Sequence, residues 1–185
     1  MEDLSLHLLD IAENSIDAGA TRIDFTITEN SDKDLLTFSI SDNGRGMDAE
    51  TLEKVSDPFF STKTVRRKRF GLGIPLLKQA AEECSGSFSI ESSPGNGTVT
   101  TAIFQRSHID RKPLGNIGSS VVVLISGHPD IDFTLSYVRD SFSYRFDSAS
   151  VREALDGVPI NLPDVLILIK SDINEAIHGD AEYGT

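Results

Sequence analysis

Three polar side chains on one predicted helix could support metal and water chemistry. Residues 9–20 (LDIAENSIDAGA) read as a helix that Gly19 ends. At about 100° per residue, Asp10, Asn14 and Asp17 fall within roughly 60° of one another on one face. An amide and two carboxylates in such a stripe can hold a hydrated divalent metal and orient a water molecule. For these residues alone, an ordinary solvated polar face is the better interpretation, so the rest of the chain has to decide.

The composition is that of a soluble globular protein. The chain has 185 residues, 38% hydrophobic and 25% charged, enough for one large domain or one domain with an appendage. No apolar run approaches the roughly 20 residues of a membrane span, and the acidic, amphipathic first segment is unlike a signal peptide. The single cysteine, Cys84, cannot form an intramolecular disulfide. We therefore expect a cytoplasmic protein that does not enter a membrane.

Charge is distributed unevenly along the chain. The formal net charge of −12 argues against a general nucleic-acid surface. Five of the 17 Lys and Arg nevertheless fall within seven residues, at Lys63, Arg66, Arg67, Lys68 and Arg69. Such a cluster on an acidic protein suggests a site for phosphate or for an acidic partner, and a solvated run of charges is the alternative.

Periodicity and turn signals predict the elements that position these residues. The predicted order is a helix at 3–18, strands at 22–28 and 35–41, helices at 48–55 and 74–83, and strands at 87–92 and 98–105. This order predicts an α+β fold in which a helical layer packs on one face of a mixed or antiparallel sheet.

A composition shift near position 106 indicates a linker. We therefore expect an N-terminal domain over residues 1–106 and a C-terminal α/β extension over residues 107–185. Within the extension, the run 117–126 is ambiguous, because its valines favour a strand whereas Asn116 as a cap and Gly127 as a stop slightly favour a helix. The other elements predicted there are two strands within 131–146, a helix ending at Leu155 and a helix over 164–177.

Four short segments occur together and in a fixed order. They are residues 13–21 (ENSIDAGAT), 42–47 (DNGRGM), 71–74 (GLGI) and 95–98 (GNGT). Each segment alone is weak evidence for a function. For example, Gly-x-Gly before a helix indicates only a tight turn and a helix N-terminus that can bind an anion. Together they resemble the GHKL superfamily of ATP-binding domains, which includes gyrase B subunits, ninety-kilodalton heat-shock chaperones, MutL and sensor histidine kinases. The resemblance covers about residues 3–105 and implies the two-layer α/β sandwich of the Bergerat type.

The resemblance implies a site for ATP and Mg²⁺. Asn14 would ligate Mg²⁺ through its amide oxygen, and Asp42 would accept a hydrogen bond from the exocyclic amine of adenine. The glycines after Asp42 would let the backbone approach the base, and the Thr98 hydroxyl, in the last of the four segments, would support the adenine. The positions that this assigns to the base are Asp42, Gly44, Gly46, Met47 and Thr98.

The same resemblance assigns the phosphates to a basic loop and a helix start. The loop 61–70 would be a lid over the nucleotide, and backbone N–H groups at the start of the next helix would cradle the phosphates. The implied phosphate contacts are Lys63, Arg67 and Arg69 in the lid, and Gly71, Leu72, Gly73 and Ile74 at the helix start.

Asp10 is a departure from the family pattern. Members that hydrolyse ATP usually carry a glutamate four residues before the metal-binding asparagine, and here that position is Asp10. Aspartate is one methylene shorter and reaches the attacking water less readily, whereas a well-placed general base is worth ~10²–10⁴-fold. Asp10 is the candidate general base, and support of a metal-bound water is an equal alternative.

Three functions are compatible with these residues. The first is a Mg-ATP-dependent ATPase or a kinase that phosphorylates a partner protein, as anti-sigma-factor kinases do. The second is a nucleotide-sensing module with little turnover. The third is a fragment of a MutL-like DNA-repair ATPase, which the net charge of −12 disfavours. In each case, residues 107–185 would bind a protein partner or form a homodimer.

Overall fold

The described part of the chain, residues 3–55 and 73–179 of a computed structural model, forms six helices and one six-stranded sheet. The helices are α1 (Leu4–Asp17), α2 (Ala49–Val55), α3 (Gly73–Glu83), α4 (Ile117–Gly127), α5 (Ser148–Ala154) and α6 (Pro163–His178). The strands are β1 (Arg22–Asn30), β2 (Leu35–Asp42), β3 (Ser87–Ser92), β4 (Thr98–Gln105), β5 (Asp132–Arg139) and β6 (Phe142–Asp147). The predicted α+β sandwich is thereby confirmed. None of the helices in these two ranges has the length and apolar character that spanning a bilayer requires.

The sheet joins strands from both halves of the chain. Its order is β3-β4-β2-β1-β5-β6. Neighbouring strands are antiparallel except β1 and β5, which run parallel with Phe25 opposite Leu135. A parallel pair needs a long crossover connection, and here the chain from β2 to α4 supplies it. Residues beyond 107 therefore extend the same sheet that carries the N-terminal strands.

One face of the sheet carries the core. Buried and more exposed residues alternate along β1 and β2, as expected for strands with one covered face. The buried apolar side chains of β1, β2 and β4 are Ile23, Phe25, Ile27, Leu36, Phe38, Ile40, Ala102 and Phe104. Helix α1 contributes Leu4, Leu8 and Ile11 to the same core. Burial of one such large apolar side chain stabilises the fold by about 1.5–3 kcal/mol.

Apolar and polar contacts join β1 to the second half of the chain. The rings of Phe25 and Phe133 stack with centroids 6.4 Å apart. Glu29, only 7% exposed, accepts hydrogen bonds from the Tyr137 hydroxyl at 2.8 Å and from Arg106 Nε at 3.0 Å. Because a buried carboxylate is costly unless paired, these partners hold the linker and β5 against β1. Burial raises the pKa of Tyr137 far above its usual value, so its hydroxyl stays a donor.

The ambiguous run 117–126 is helical and lies within α4. The Asn116 side chain caps this helix by accepting a hydrogen bond from the Ser119 N–H at 2.8 Å, and Asn174 of α6 donates to the same oxygen at 3.0 Å. On its other side, the Ser120 hydroxyl donates to the Ser5 carbonyl of α1 at 3.0 Å. The cap and the packing against α1 and α6 outweigh the strand preference of the valines.

Candidate functional site

Helix α1 carries two of the predicted site residues. It begins at the Asp3 cap, whose carboxylate accepts from a backbone N–H of the first turn at 3.2 Å. It ends at Asp17 and is capped by Ala18, after which Gly19 adopts a left-handed conformation with φ +79°. Asp10 is exposed and Asn14 is half-buried, one turn further along the same face. The predicted polar stripe of this helix is therefore open to a ligand.

Asp42 is held by hydrogen bonds from two directions. It ends β2, where it lies opposite Thr98 on β4. The Ser15 hydroxyl, on α1, lies 2.7 Å from Oδ2, and the Gly44 N–H donates to Oδ1 at 2.8 Å. Each carboxylate oxygen has more than one lone pair. The fixed carboxylate can therefore accept a further hydrogen bond from a ligand.

Thr98 belongs to a small cluster of polar groups around Ser92. The Ser92 hydroxyl lies 2.8 Å from the Gly97 carbonyl oxygen and accepts the Met47 N–H at 2.9 Å. The two hydroxyls of Ser92 and Thr98 are 3.0 Å apart. Because the single hydrogen of Ser92 is directed to the Gly97 carbonyl, Thr98 donates to Ser92 and keeps lone pairs for another donor.

Two glycines are required by contact between loops, namely the predicted site residue Gly46 and Gly97, which lies in the segment 95–98. Gly46 has φ +66°, and a Cβ there would lie 2.0 Å from the Ser93 carbonyl oxygen. Gly97 has φ +72°, and a Cβ there would lie 1.9 Å from the Asp42 carbonyl oxygen. The predicted reason for glycine in the segment 42–47 is access for the base. The packing of residues 42–46 against residues 93–97 is sufficient to require glycine without any ligand.

A second group of residues lies where α1 meets the start of α3. A Cβ on Gly73 would lie 2.7 Å from the Asp10 Cβ, and Ile74 is buried beside it. The first N–H groups of a helix lack partners within the helix and favour anions. His7, one turn before Asp10, is 2% exposed, and its Nδ1 has no hydrogen-bond partner among the described residues. Burial lowers the pKa of His7 although contact with the Gly73 backbone opposes this, so the ring is neutral at pH 7.

The structure gathers the predicted site residues that it describes into two groups, each of which contacts α1. The first group, at the ends of β2 and β4, consists of Asp42, Gly44, Gly46, Met47 and Thr98. The second, between α1 and α3, consists of Asp10, Gly73 and Ile74. Asn14 lies on α1 next to Ser15 and one turn from Asp10. The predicted phosphate contacts Lys63, Arg67, Arg69, Gly71 and Leu72 lie outside the described residues.

Ser15 and Ser92 are hydrogen-bond partners of predicted site residues that the sequence did not reveal. Ser15 is buried on the apolar face of α1, four residues after Ile11. A polar side chain on an apolar helix face has to find a buried partner, and this was the available signal. Ser92 ends β3 on the face that carries Phe88 and Ile90, whereas Ser87 and Ser89 lie on the other, exposed face. The period of two along the strand was the available signal.

Comparison with known families identifies this arrangement. The model of the histidine kinase-, DNA gyrase B-, and HSP90-like ATPase family matches residues 2–108. The chain belongs to this family. It is therefore a GHKL protein, as its four segments predict, and the matched range includes both groups of site residues.

Two bacterial kinases are similar in sequence to this ATPase domain. Sensor protein kinase FleS of Pseudomonas aeruginosa is 38% identical over 96 residues, which are 52% of this chain and 23% of that protein. Sporulation kinase C of Bacillus subtilis is 34% identical over 91 residues, 49% of this chain and 21% of that protein. The chain thus matches less than a quarter of the length of either relative.

A solved structure shares the fold. The crystal structure of the N-terminal domain of a DNA repair protein superposes with a TM-score of 0.51 at 14% identity, covering 78% of this chain and 52% of that one. This coverage exceeds the range of the family match. Some residues after 108 therefore share in the structural likeness.

Substitution of Gly46 tests the loop contact. Gly46→Ala places a methyl group against the Ser93 carbonyl in a left-handed conformation, and we expect it to lower the free energy of unfolding by about 2–5 kcal/mol. Gly95→Ala is the control, because Gly95 has φ +82° but nothing within 4 Å of an added Cβ. It should cost only the backbone strain, about 1–2 kcal/mol. Urea unfolding measures both, and equal losses would contradict the contact.

The buried His7 should make stability depend on pH. The folded-state pKa of His7 is lower than the unfolded value of 6.5. At pH values between these two pKa values, the unfolded chain therefore binds more protons than the folded chain. The free energy of unfolding should therefore keep its full value above about pH 7 and decrease as the pH falls toward the folded-state pKa of His7. His7→Leu should flatten this decrease in urea midpoints between about pH 7 and 5.5. The exposed His178, replaced as His178→Leu, controls for loss of one histidine, and a flattening there of equal size would refute the assignment.

Proposed function

We propose that the chain binds Mg-ATP, with adenine at the Asp42–Thr98 group and the phosphates toward the start of α3. The observation that carries the proposal is the Asp42 carboxylate, held by Ser15 and Gly44 with acceptor capacity left over. A carboxylate that accepts but cannot donate suits the adenine amine and opposes the carbonyl of guanine. Membership of the ATPase family supports ATP as the nucleotide.

Asn14 is the residue that we propose for Mg²⁺. Its amide oxygen is a hard ligand of the kind that Mg²⁺ prefers, and it lies on α1 between Ser15 and the exposed Asp10 turn. Bound Mg²⁺ would neutralise charge on the phosphates. The N–H groups of Gly73 and Ile74 would donate to phosphate oxygens at the N-terminus of α3, and the basic residues of 61–70 would add positive charge.

For the reaction, we propose transfer of the γ-phosphate to a side chain of a partner protein or to water. Both similar bacterial proteins are named as kinases, which supports transfer to a protein. A nucleotide sensor with little turnover is the alternative, favoured by the short side chain of Asp10. We propose that residues 107–185 contact the partner or a second copy. Because ATP is supplied in the cytoplasm, we propose a cytoplasmic location.

Nucleotide binding tests the proposed site. Asp42→Asn should weaken ATP binding at least tenfold. The substitution replaces one carboxylate oxygen, which accepts a hydrogen bond, by an amide NH₂ group, which can only donate. Asn14→Ala should weaken binding of Mg-ATP about tenfold but leave ATP binding in excess EDTA nearly unchanged. Calorimetric titration or thermal shift measures both.

The controls for these variants are matched exposed residues. Asp130→Asn and Asn161→Ala make the same chemical changes at exposed positions outside both groups, and they should bind like the wild type. A wild-type protein without affinity for Mg-ATP would refute the proposal.

The fate of the γ-phosphate separates the reaction classes. Asp10→Asn should slow hydrolysis ~10²–10⁴-fold if Asp10 is the general base, with ATP affinity unchanged, and Asp10→Glu should speed it. Asp17→Asn, the next carboxylate of the stripe, is the control. The measurement is incubation with γ-labelled ATP and the proteins encoded beside this chain, which shows label on phosphate or on a protein. No label on either would support the sensor.

A further inference from the structure

We propose that Ser15 is a positioning residue for adenine recognition, whose hydroxyl fixes the Asp42 carboxylate in the orientation that the purine 6-amine requires. The inference rests on the proposed function and adds a residue that would not touch the nucleotide. Ser15 follows the proposed Mg²⁺ ligand Asn14 directly. One turn of α1 would then set both the base end and the metal end of the site.

The geometry gives Ser15 one specific partner. Its hydroxyl lies 2.7 Å from Asp42 Oδ2 and 3.1 Å from the Ile11 carbonyl oxygen. A hydroxyl has one hydrogen, and the shorter contact goes to a charged acceptor, where hydrogen bonds are about twice as strong as neutral ones. The hydrogen is therefore directed to Asp42, across a sequence separation of 27 residues.

Two hydrogen bonds from different elements restrict the carboxylate. The Gly44 N–H holds Oδ1 from the loop that follows β2, and Ser15 holds Oδ2 from α1. A terminal carboxyl torsion is otherwise broad and roughly two-fold. With only the Gly44 contact left, the plane of the carboxylate can turn about that bond. The lone pair offered to a ligand would then lose its fixed direction.

This role predicts a loss that depends on the base. Without the Ser15 hydroxyl, only ligands that donate to Asp42 lose affinity. Purine riboside triphosphate is ATP with hydrogen in place of the 6-amine, and inosine triphosphate carries a carbonyl at that position. Purine riboside triphosphate has no donor on this edge of the base, so its affinity does not depend on the orientation of the Asp42 carboxylate. The carbonyl of inosine triphosphate opposes that carboxylate instead. A merely structural serine would weaken all three nucleotides alike.

The experiment is a titration of the full chain with these three nucleotides in the presence of Mg²⁺. We expect wild type to bind ATP more tightly than purine riboside triphosphate, and inosine triphosphate most weakly. Ser15→Ala should weaken ATP about fivefold, the effect of one ordinary hydrogen bond, and change purine riboside triphosphate less than about twofold. Ser15→Cys, nearly isosteric with a weak S–H donor, should show an intermediate loss and provides the same test if the alanine variant does not fold.

Ser5→Ala is a closely matched control. Ser5 and Ser15 lie on the same helix, are both 4% exposed, and each has its hydroxyl 2.7 Å from an aspartate oxygen, that of Asp3 in the case of Ser5. Ser5→Ala should keep the wild-type ratio of the affinities for ATP and purine riboside triphosphate. Thermal unfolding without nucleotide compares the folding of all variants.

The possible outcomes separate this inference from the proposed function. Wild type that binds ATP and prefers it over purine riboside triphosphate, with Ser15→Ala losing both equally, overturns the inference alone. Wild type that binds both equally overturns the contact between Asp42 and the amine, and with it the role of Ser15. Wild type that binds none of the three overturns the proposed function itself.

Discussion

The placement of α1 is the constraint on which the candidate site depends. Its apolar face, with Leu8 and Ile11, is buried in the core and thereby fixes the rotation of the helix about its axis. That rotation directs Ser15 to Asp42 and leaves Asn14 and Asp10 on an open stripe. The same helix touches α3 through Asp10 and Gly73. A change in how α1 packs would therefore reach the base end and the phosphate end of the site together.

Contacts between loops form a second constraint. The Asn43 side chain accepts the N–H groups of Thr21 and Arg22 at 2.9 Å each, and the Arg45 N–H donates to the Ala18 carbonyl at 3.0 Å. The segment 42–47 is thus fixed to the end of α1 on one side and to the 93–97 turn on the other. Its polar and glycine residues are explained in large part by this backbone packing. The motif that identifies the family therefore also holds α1 and the 93–97 turn together.

Local signals made much of the fold predictable. Asp3, Gly19 and Asp48 mark element ends by interactions within a few residues, so the sequence predicted these boundaries within about two positions. The run 117–126 was ambiguous because strand propensity and capping disagree locally, and packing against α1 and α6 decides. Parallel pairing of β1 with β5 depends on residues about 110 apart, for which periodicity has no signal. The partner of Ser15 was unpredictable for the same reason, since Asp42 lies 27 residues further along the chain. The phosphate contacts in the basic loop, with Gly71 and Leu72, stay predictions.

The parallel contact of β5 with β1 has a consequence for how the protein is made. The family match ends at residue 108, yet β1 acquires its second neighbour only when residues 132–139 have been synthesised. Until then, the emerging chain presents β1 as an unpaired edge, and unpaired edges are templates for pairing with other chains. A protein chain shortened at residue 108 would leave the same edge of β1 unpaired. The smallest folding unit in which β1 has two neighbours therefore extends to residue 139, beyond the range of the family match.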